Sequence, residues 1–338
     1  MITVTLYSRE DCHLCEEAQQ QLAALQADIP HELVVIDVDS NPDLRRAYGV
    51  EVPVIEVGPY KLRAPIDAQD IRITLMAAQD RSAHLESLGD PNYLRHVQMY
   101  QVWTKADGFA YWLSNHYLAM FNLFVLIYLG LPVLAPVLVK AGFETPATMI
   151  YRVYGVMCHQ WSFRSFFLYG EQVVYPRAAA GIDGLMSYSQ ATGFGESNTA
   201  SDLIAARKFI GNEKVGYKIA LCERDSAIWG GLLLFGLVYA LVGRRLPALP
   251  WYLWFLIGII PIGIDGFSQL LSQPPFNFYP YRESTPFLRV LTGGLFGFST
   301  AWFGYPMTES AMAETRRIMA SKILRIRGRA SASEIVTG

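Results

Sequence analysis

Asp11-Cys12-His13-Leu14-Cys15 sets two cysteines at C-x-x-C spacing between a strand-like run, Ile2 to Tyr7, and a helix-like run, Glu16 to Ala27. A chain that turns from strand into helix there puts Cys12 at a helix N-terminus. Unpaired backbone N–H groups and the helix dipole favour a thiolate at that place. Zinc knuckles use the same spacing, but a four-cysteine zinc site needs a second C-x-x-C, and none of the four cysteines supplies it. After a βα junction the spacing reads as a dithiol motif of redox type.

Working outward, Ile2-Thr3-Val4-Thr5-Leu6-Tyr7 alternates like a strand, and Ala18, Leu22 and Leu25 recur at helical spacing. Glu32 to Val38 reads as a buried strand. Asn41-Pro42 starts a helix, with Asn as N-cap and Pro at the first helical position. Glu51 to Val57 is a further strand, turned by Gly58-Pro59 into a short partner, Tyr60 to Arg63, before Asp67 caps a last helix through about Ala78. The order βαβαββα suits a small sheet covered by helices on both faces.

Ser8-Arg9-Glu10-Asp11-Cys12-His13-Leu14-Cys15, together with Val52-Pro53 opening the third strand, resembles the thioredoxin superfamily. It is most similar to a small glutaredoxin-like group with the motif Ser-Arg-x-x-Cys-His-Leu-Cys. The resemblance covers residues 1–80 and implies an α/β thioredoxin-like domain. It implies Cys12 as attacking thiol, Cys15 as resolving thiol, Pro53 as a cis-proline facing the disulfide, and a thiol or disulfide protein or small thiol as partner. Where glutaredoxins carry a Gly-Gly-x-Asp turn for glutathione, this chain reads Ala64-Pro65-Ile66-Asp67. His13 stands either as a tuner of Cys12 or as an exposed spectator.

The 338 residues allow two domains, and composition splits them. Up to Asp90 there are 16 Asp/Glu against 7 Lys/Arg. Met1 leads at once into a strand, without a basic n-region or an apolar h-region, so the N-terminal domain is expected in the cytosol. Residues 81–117 read as a connecting helix ending at a membrane interface, marked by Tyr93, Tyr100, Trp103, Tyr111 and Trp112. Leu118 to Val139, Ala227 to Val242, Trp251 to Leu271 and Phe287 to Phe303 are apolar runs of spanning or near-spanning length. Residues 118–305 are therefore expected to form an all-α, multi-pass domain of about four transmembrane helices in the cell membrane, with the lipid bilayer as partner. Within it, 140–225 forms a long outer segment whose Gly181 to Ser201 reads as a loop. Gly293, Gly294 and Gly297 would allow close helix packing in the fourth span. Arg244-Arg245 and a basic tail over 306–338 (Arg316, Arg317, Lys322, Arg325, Arg327, Arg329) place both termini in the cytoplasm by the positive-inside rule. No internal repeat, nucleotide-binding pattern or Ser-His-Asp pattern stands out, and no nucleic-acid partner is expected.

A second constellation lies in the outer segment and the later spans: Cys158-His159-Gln160, Arg164-Ser165-Phe166-Phe167, Cys222-Glu223-Arg224-Asp225, Asp265-Gly266 with Gln269, then Arg282, Ser284 and Arg289. In this order the blocks resemble an uncharacterised family of small membrane proteins (DUF2085), a resemblance that implies no activity. Cys158, His159, Cys222 and Asp225 are a ligand set suited to tetrahedral zinc. A Cys158–Cys222 disulfide and two unrelated buried cysteines are the alternatives. Asp265, inside a span, is costly there unless it faces a cavity or a partner. It reads as a catalytic acid or base, or as the centre of a salt-bridge cluster with Arg164, Arg224, Arg282 or Arg289. The expected function is a membrane-anchored thiol–disulfide oxidoreductase. The alternatives are a zinc-binding membrane enzyme or transporter with a regulatory thioredoxin-like domain, and a scaffold. With the two cysteine pairs on opposite sides of about 30 Å of hydrocarbon, electron exchange between them would need a carrier such as a quinone.

Overall fold

The structure, a computed structural model, describes residues 2–89 and 102–337, with side chains through 328. Tyr93 and Tyr100 of the expected connecting helix lie outside the described residues. The chain divides into two compact units, one of residues 1–116 with 310–338, the other of 117–309.

The first unit begins with β1 (Ile2–Ser8), α1 (His13–Leu25), β2 (His31–Asp37), α2 (Pro42–Tyr48), β3 (Val54–Val57), β4 (Tyr60–Arg63) and α3 (Ala68–Ser87), the βαβαββα order that the sequence predicts. The strands align as β2-β1-β3-β4, with β1 and β2 parallel and the other two pairs antiparallel. β3 is shorter than expected: Pro53 has no N–H to donate to a ladder, so regular pairing starts at Val54. Strand alternation sends Val4 and Leu6 to one face, where they pack with Leu22 of α1 and Ile71 and Leu75 of α3. Tyr7, Val34 and Ile36 contribute to a second cluster, with Leu44 and Tyr48 of α2.

Ala320 and Leu324 close that second cluster. They belong to a helix of 52 residues, Pro286–Thr337, whose later part the sequence reads only as a basic tail. Three of its cations are paired. Arg316 pairs with Asp43 at 3.2 Å, Lys322 with Asp107 at 2.7 Å, and Arg325 with Glu56 at 3.2 Å. Tyr7 Oη donates to Ser321 Oγ at 3.0 Å.

The second unit takes up α4 (Lys105–Lys140) from Tyr117 onward, then α5 (Glu144–Met157), β5 (Ser165–Leu168), α6 (Tyr188–Thr192), α7 (Ala200–Lys208), β6 (Gly211–Asn212), β7 (Gly216–Cys222), α8 (Glu223–Leu241), α9 (Trp251–Leu271, with a π-helical middle over Phe255–Ile259) and α10 (Pro286–Thr337) up to Glu309. The unit is helical as expected, with one addition. Residues 165–222 hold a three-stranded sheet, β5-β7-β6, over an aromatic core of Phe163, Phe167, Tyr175 and Tyr188. The loop expected over 181–201 includes the short α6, held by a reciprocal Ser187–Gln190 capping box.

Among the described residues three helices, α4, α8 and α9, are long and apolar enough to cross a membrane. Their apolar side chains face largely outward (Leu123 is 56% and Phe124 58% exposed), as surfaces covered by lipid do. The fourth apolar run lies in α10 and is diluted by glycine for a packing reason. A Cβ on Gly297 would stand 1.9 Å from the carbonyl oxygen of Ile228 in α8, and one on Gly293 2.7 Å from that of Arg224. These glycines let α8 and α10 approach backbone to backbone.

Candidate functional site

In the first unit Cys12 is the N-cap of α1, with extended backbone (φ −111°, ψ 95°). Its Sγ accepts the Cys15 N–H at 3.3 Å, and its carbonyl accepts those of Cys15 and Glu16 at 2.9 and 3.1 Å. Cys12 and Cys15 are joined as a disulfide with Cα atoms 5.2 Å apart. Cys12 is half-buried, while Cys15 beneath it is 2% exposed. The Val52–Pro53 peptide is cis and Pro53 is buried. His13, the first residue of α1, is exposed and lies 3.4 Å from Glu17 one turn on. Asp67 spends a carboxylate oxygen on its own helix, accepting the Asp70 N–H at 2.7 Å.

In the second unit Cys158 ends α5 and Cys222 ends β7, and Gln160 joins the two. Its buried side chain donates to the carbonyls of Tyr151 at 3.0 Å and Ala220 at 2.8 Å. Lys218 Nζ reinforces the turn by donating to the Gln160 carbonyl at 2.7 Å and that of Arg207 at 2.8 Å. Burial lowers the Lys218 pKa to about 7. Cys222 is also an N-cap: its Sγ accepts the Asp225 N–H of α8 at 3.4 Å. As a result one donor atom each from Cys158, Cys222 and Asp225 lie within 4.8 Å of one another.

Both thiols are free, so the disulfide alternative is not the state of this structure. Of the coupled pair, Cys158 is the acid: the Cys222 thiol hydrogen bond lowers its pKa and raises that of Cys222.

His159, expected in the same ligand set, lines a cavity beside these residues but is not in the group of converging donor atoms. Cys158 has extended backbone (φ −132°, ψ 143°), so consecutive side chains diverge. The His159 ring is exposed and lies 4.8 Å from that of Trp161, outside the cluster of donor atoms.

The three donors line that cavity, of about 270 Å³, together with Arg164, Arg224, Arg289 and Gln269, among others. Asp265 is not in its lining and sits at the centre of the expected salt-bridge cluster. Its Oδ1 takes Arg282 at 2.9 Å, and its Oδ2 takes Ser284 at 2.7 Å and Arg224. Arg164 and Arg289, expected as further partners, go elsewhere. Arg164 grips Glu283 with bonds of 2.9 and 3.1 Å. Arg289 joins Glu283 and reaches Glu223 at 3.0 Å, and Arg177 approaches Glu283 at 3.4 Å. Sequence reading passes over Glu223, Glu283 and Arg177. The first two stand beside noted residues, Cys222 and Ser284, while nothing local marks Arg177 as buried.

Fold and sites together define a class, a thioredoxin-superfamily membrane protein. Comparison with known proteins agrees. Residues 3–78 match the glutaredoxin-like domain family (DUF836), and residues 204–303 match the predicted membrane protein family DUF2085. An uncharacterized protein of Methanocaldococcus jannaschii is 25% identical over 205 residues, which is 58% of this chain and 94% of that protein. An uncharacterized protein of Mycobacterium tuberculosis is 33% identical over 78 residues, 19% of this chain and 80% of that one. An X-ray structure of a structural-genomics target from X. campestris is 39% identical, covers 22% of this chain and 96% of its own, and superposes with a TM-score of 0.20. The chain belongs to the glutaredoxin-like family through its N-terminal domain, and carries the DUF2085 membrane domain after it.

Proposed function

We propose that the chain is a membrane-anchored thiol–disulfide oxidoreductase acting through Cys12 and Cys15. One observation carries this reading: a half-exposed Cys12 caps a helix N-terminus with a buried Cys15 bonded beneath it. In the dithiol form the Cys12 thiolate attacks a partner disulfide, forms a mixed disulfide and releases one partner thiolate. Cys15 then attacks Cys12, releases the second partner thiolate and leaves the Cys12–Cys15 disulfide, so two electrons pass to the partner. A dithiol or a pair of thiols reverses the sequence.

We read the thioredoxin-like domain as lying on the cytoplasmic side. The described residues up to His116 and those from Ser310 form one unit, and a packed unit lies on one side of a bilayer. On this reading the chain between crosses an even number of times, with the start of α10 as a fourth crossing beside α4, α8 and α9. Arg244 and Arg245 between α8 and α9, with the cations of α10, favour the cytoplasm as that side.

The test uses the full chain in detergent with an oxidised model peptide. Exchange falls to background in Cys12→Ser, and Cys15→Ser accumulates the mixed disulfide. A Cys12→Ser variant exchanging at the parent rate sinks the reading.

A further inference from the structure

The second cysteine site has no part in that exchange, and its chemistry differs. Two sulfurs and a carboxylate converge within 4.8 Å. Donor atoms around a tetrahedral zinc stand about 3.3–3.8 Å apart, given its bond lengths, so shifts of about 1 Å close the three onto an ion. Thiolate pairs select soft or borderline cations over magnesium or calcium. The backbone that presents them is fixed independently of any ion, by Gln160 between Tyr151 and Ala220 and by Lys218 beneath the turn.

The surroundings hold a surplus of positive charge. Among the described residues Arg164, Arg177 and Arg289 form their ion pairs with Glu223 and Glu283, and Arg224 and Arg282 share Asp265. A second observation points into the cavity. Gln269 is 6% exposed and lines it, yet its Nε2 donor has no partner, and neither has Arg224 Nε. Buried donors are seldom left so.

We propose that Cys158, Cys222 and Asp225 hold a divalent metal ion of the zinc class, whose fourth coordination position opens on the arginine-lined cavity and receives an anionic group. Two thiolates and a carboxylate leave such an ion one short of tetrahedral closure, the arrangement of sites that bind an exchangeable ligand rather than only brace a fold. Arg224 and Gln269 then supply the donors that meet the anion.

The test is made on the full chain carrying Cys12→Ser and Cys15→Ser, so that no other thiol binds metal. Elemental analysis after zinc loading and desalting is expected to give about one zinc per chain, kept in His159→Ala and lost in Cys158→Ala and Asp225→Ala. Cobalt in its place is expected to show thiolate-to-metal charge-transfer absorption, a readout on the parent protein that does not depend on the variants folding. Inorganic phosphate is expected to shift the visible cobalt bands. Absence of bound metal, retention of metal in Cys158→Ala, or recovery of a Cys158–Cys222 disulfide from the loaded protein overturns the site. Cobalt bands indifferent to phosphate overturn the open position.

Discussion

Two helices of this molecule start from a cysteine in the same way, and the third helical position separates their chemistry. Cys12 caps α1 and accepts the N–H of Cys15; Cys222 caps α8 and accepts the N–H of Asp225. In both, a sulfur sits where the helix presents unpaired donors. After Cys12 the third position carries another sulfur, so two electrons can be stored in a bond between neighbours. After Cys222 it carries a carboxylate, which cannot form that bond, and the second sulfur arrives from Cys158 in a distant segment. The C-x-x-C pair can open and close without moving the chain. The Cys–Cys–Asp set is tied into β7, α5 and α8, and is better suited to hold something than to cycle.

The sharpest break of this comparison is functional. Cys12→Ser should abolish peptide disulfide exchange, while Cys222→Ser should leave the exchange rate within about twofold of the parent, a difference well under 1 kcal/mol. Stopped-flow thiol release measures both. Loss of exchange in Cys222→Ser would make the two sites one system.

The next effect is on stability and concerns the second site alone. Glu283 is 1% exposed and binds Arg164 and Arg289 at once. Glu283→Leu leaves Arg164 uncompensated and Arg289 with Glu223 alone, and should cost about 3–5 kcal/mol, read as a lower thermal unfolding midpoint of the membrane unit. Burial alone would raise the Glu283 pKa, but Arg164 and Arg289 outweigh it and hold the group below the usual carboxylate range. Its folded pKa lies under its unfolded value of about 4.3. The stabilisation is therefore complete above that pH and is lost as pH falls through the folded value. The acid limb should be shallower in the variant by the share that Glu283 carries.

Helix contact gives a smaller effect. Gly297→Ala places a methyl where Ile228 O stands 1.9 Å away, while Gly304→Ala meets nothing within 4 Å. The first should cost about 1–3 kcal/mol by overpacking. The second should be neutral or gain up to about 1 kcal/mol from helix propensity. Thermal melts in detergent compare the pair, and equal effects would mean that α8 and α10 are not in close contact.

What was legible in the sequence follows the range of the interaction. The order of the first seven elements and the Cys12 cap rest on neighbours within a few residues, and alternation, Asn41-Pro42 and Asp67 announce them. The grouping of Cys158, Cys222 and Asp225 was readable from residue type. The place of His159 outside that grouping was not, because it depends on the extended dihedrals after α5. The pairing of arginines was half legible: Arg224 and Arg282 do meet Asp265. Arg164 and Arg289 are claimed by Glu283, and no local pattern shows which carboxylate a buried guanidinium reaches across a span of 119 residues. The sheet in residues 165–222 stayed hidden because its strands are two to seven residues long and β5 pairs with β7 from the far end of the segment.

The smallest predicted effect tests the feature on which the topology rests, the docking of α10 on the thioredoxin-like sheet. Tyr7 lies on that face with its ring 4.4 Å from Tyr48. Its hydroxyl meets Ser321 at 3.0 Å, Glu56 at 3.2 Å and Arg325 at 3.3 Å. Burial, then the Glu56 charge, pushes its pKa up to about 12, so it stays a neutral donor across the physiological range. Tyr7→Phe keeps the ring packing and deletes the hydroxyl contacts, a loss of about 1 kcal/mol. Hydrogen exchange of residues 318–325 should then quicken about fivefold, with no change in the α1 amides on the opposite face. If those residues exchange at the unprotected rate already in the parent, the tail does not dock. The even count of crossings then loses its footing, and the three apolar helices α4, α8 and α9 become the whole membrane span. Protection in the parent that Tyr7→Phe weakens ties both ends of the chain to one side of the bilayer.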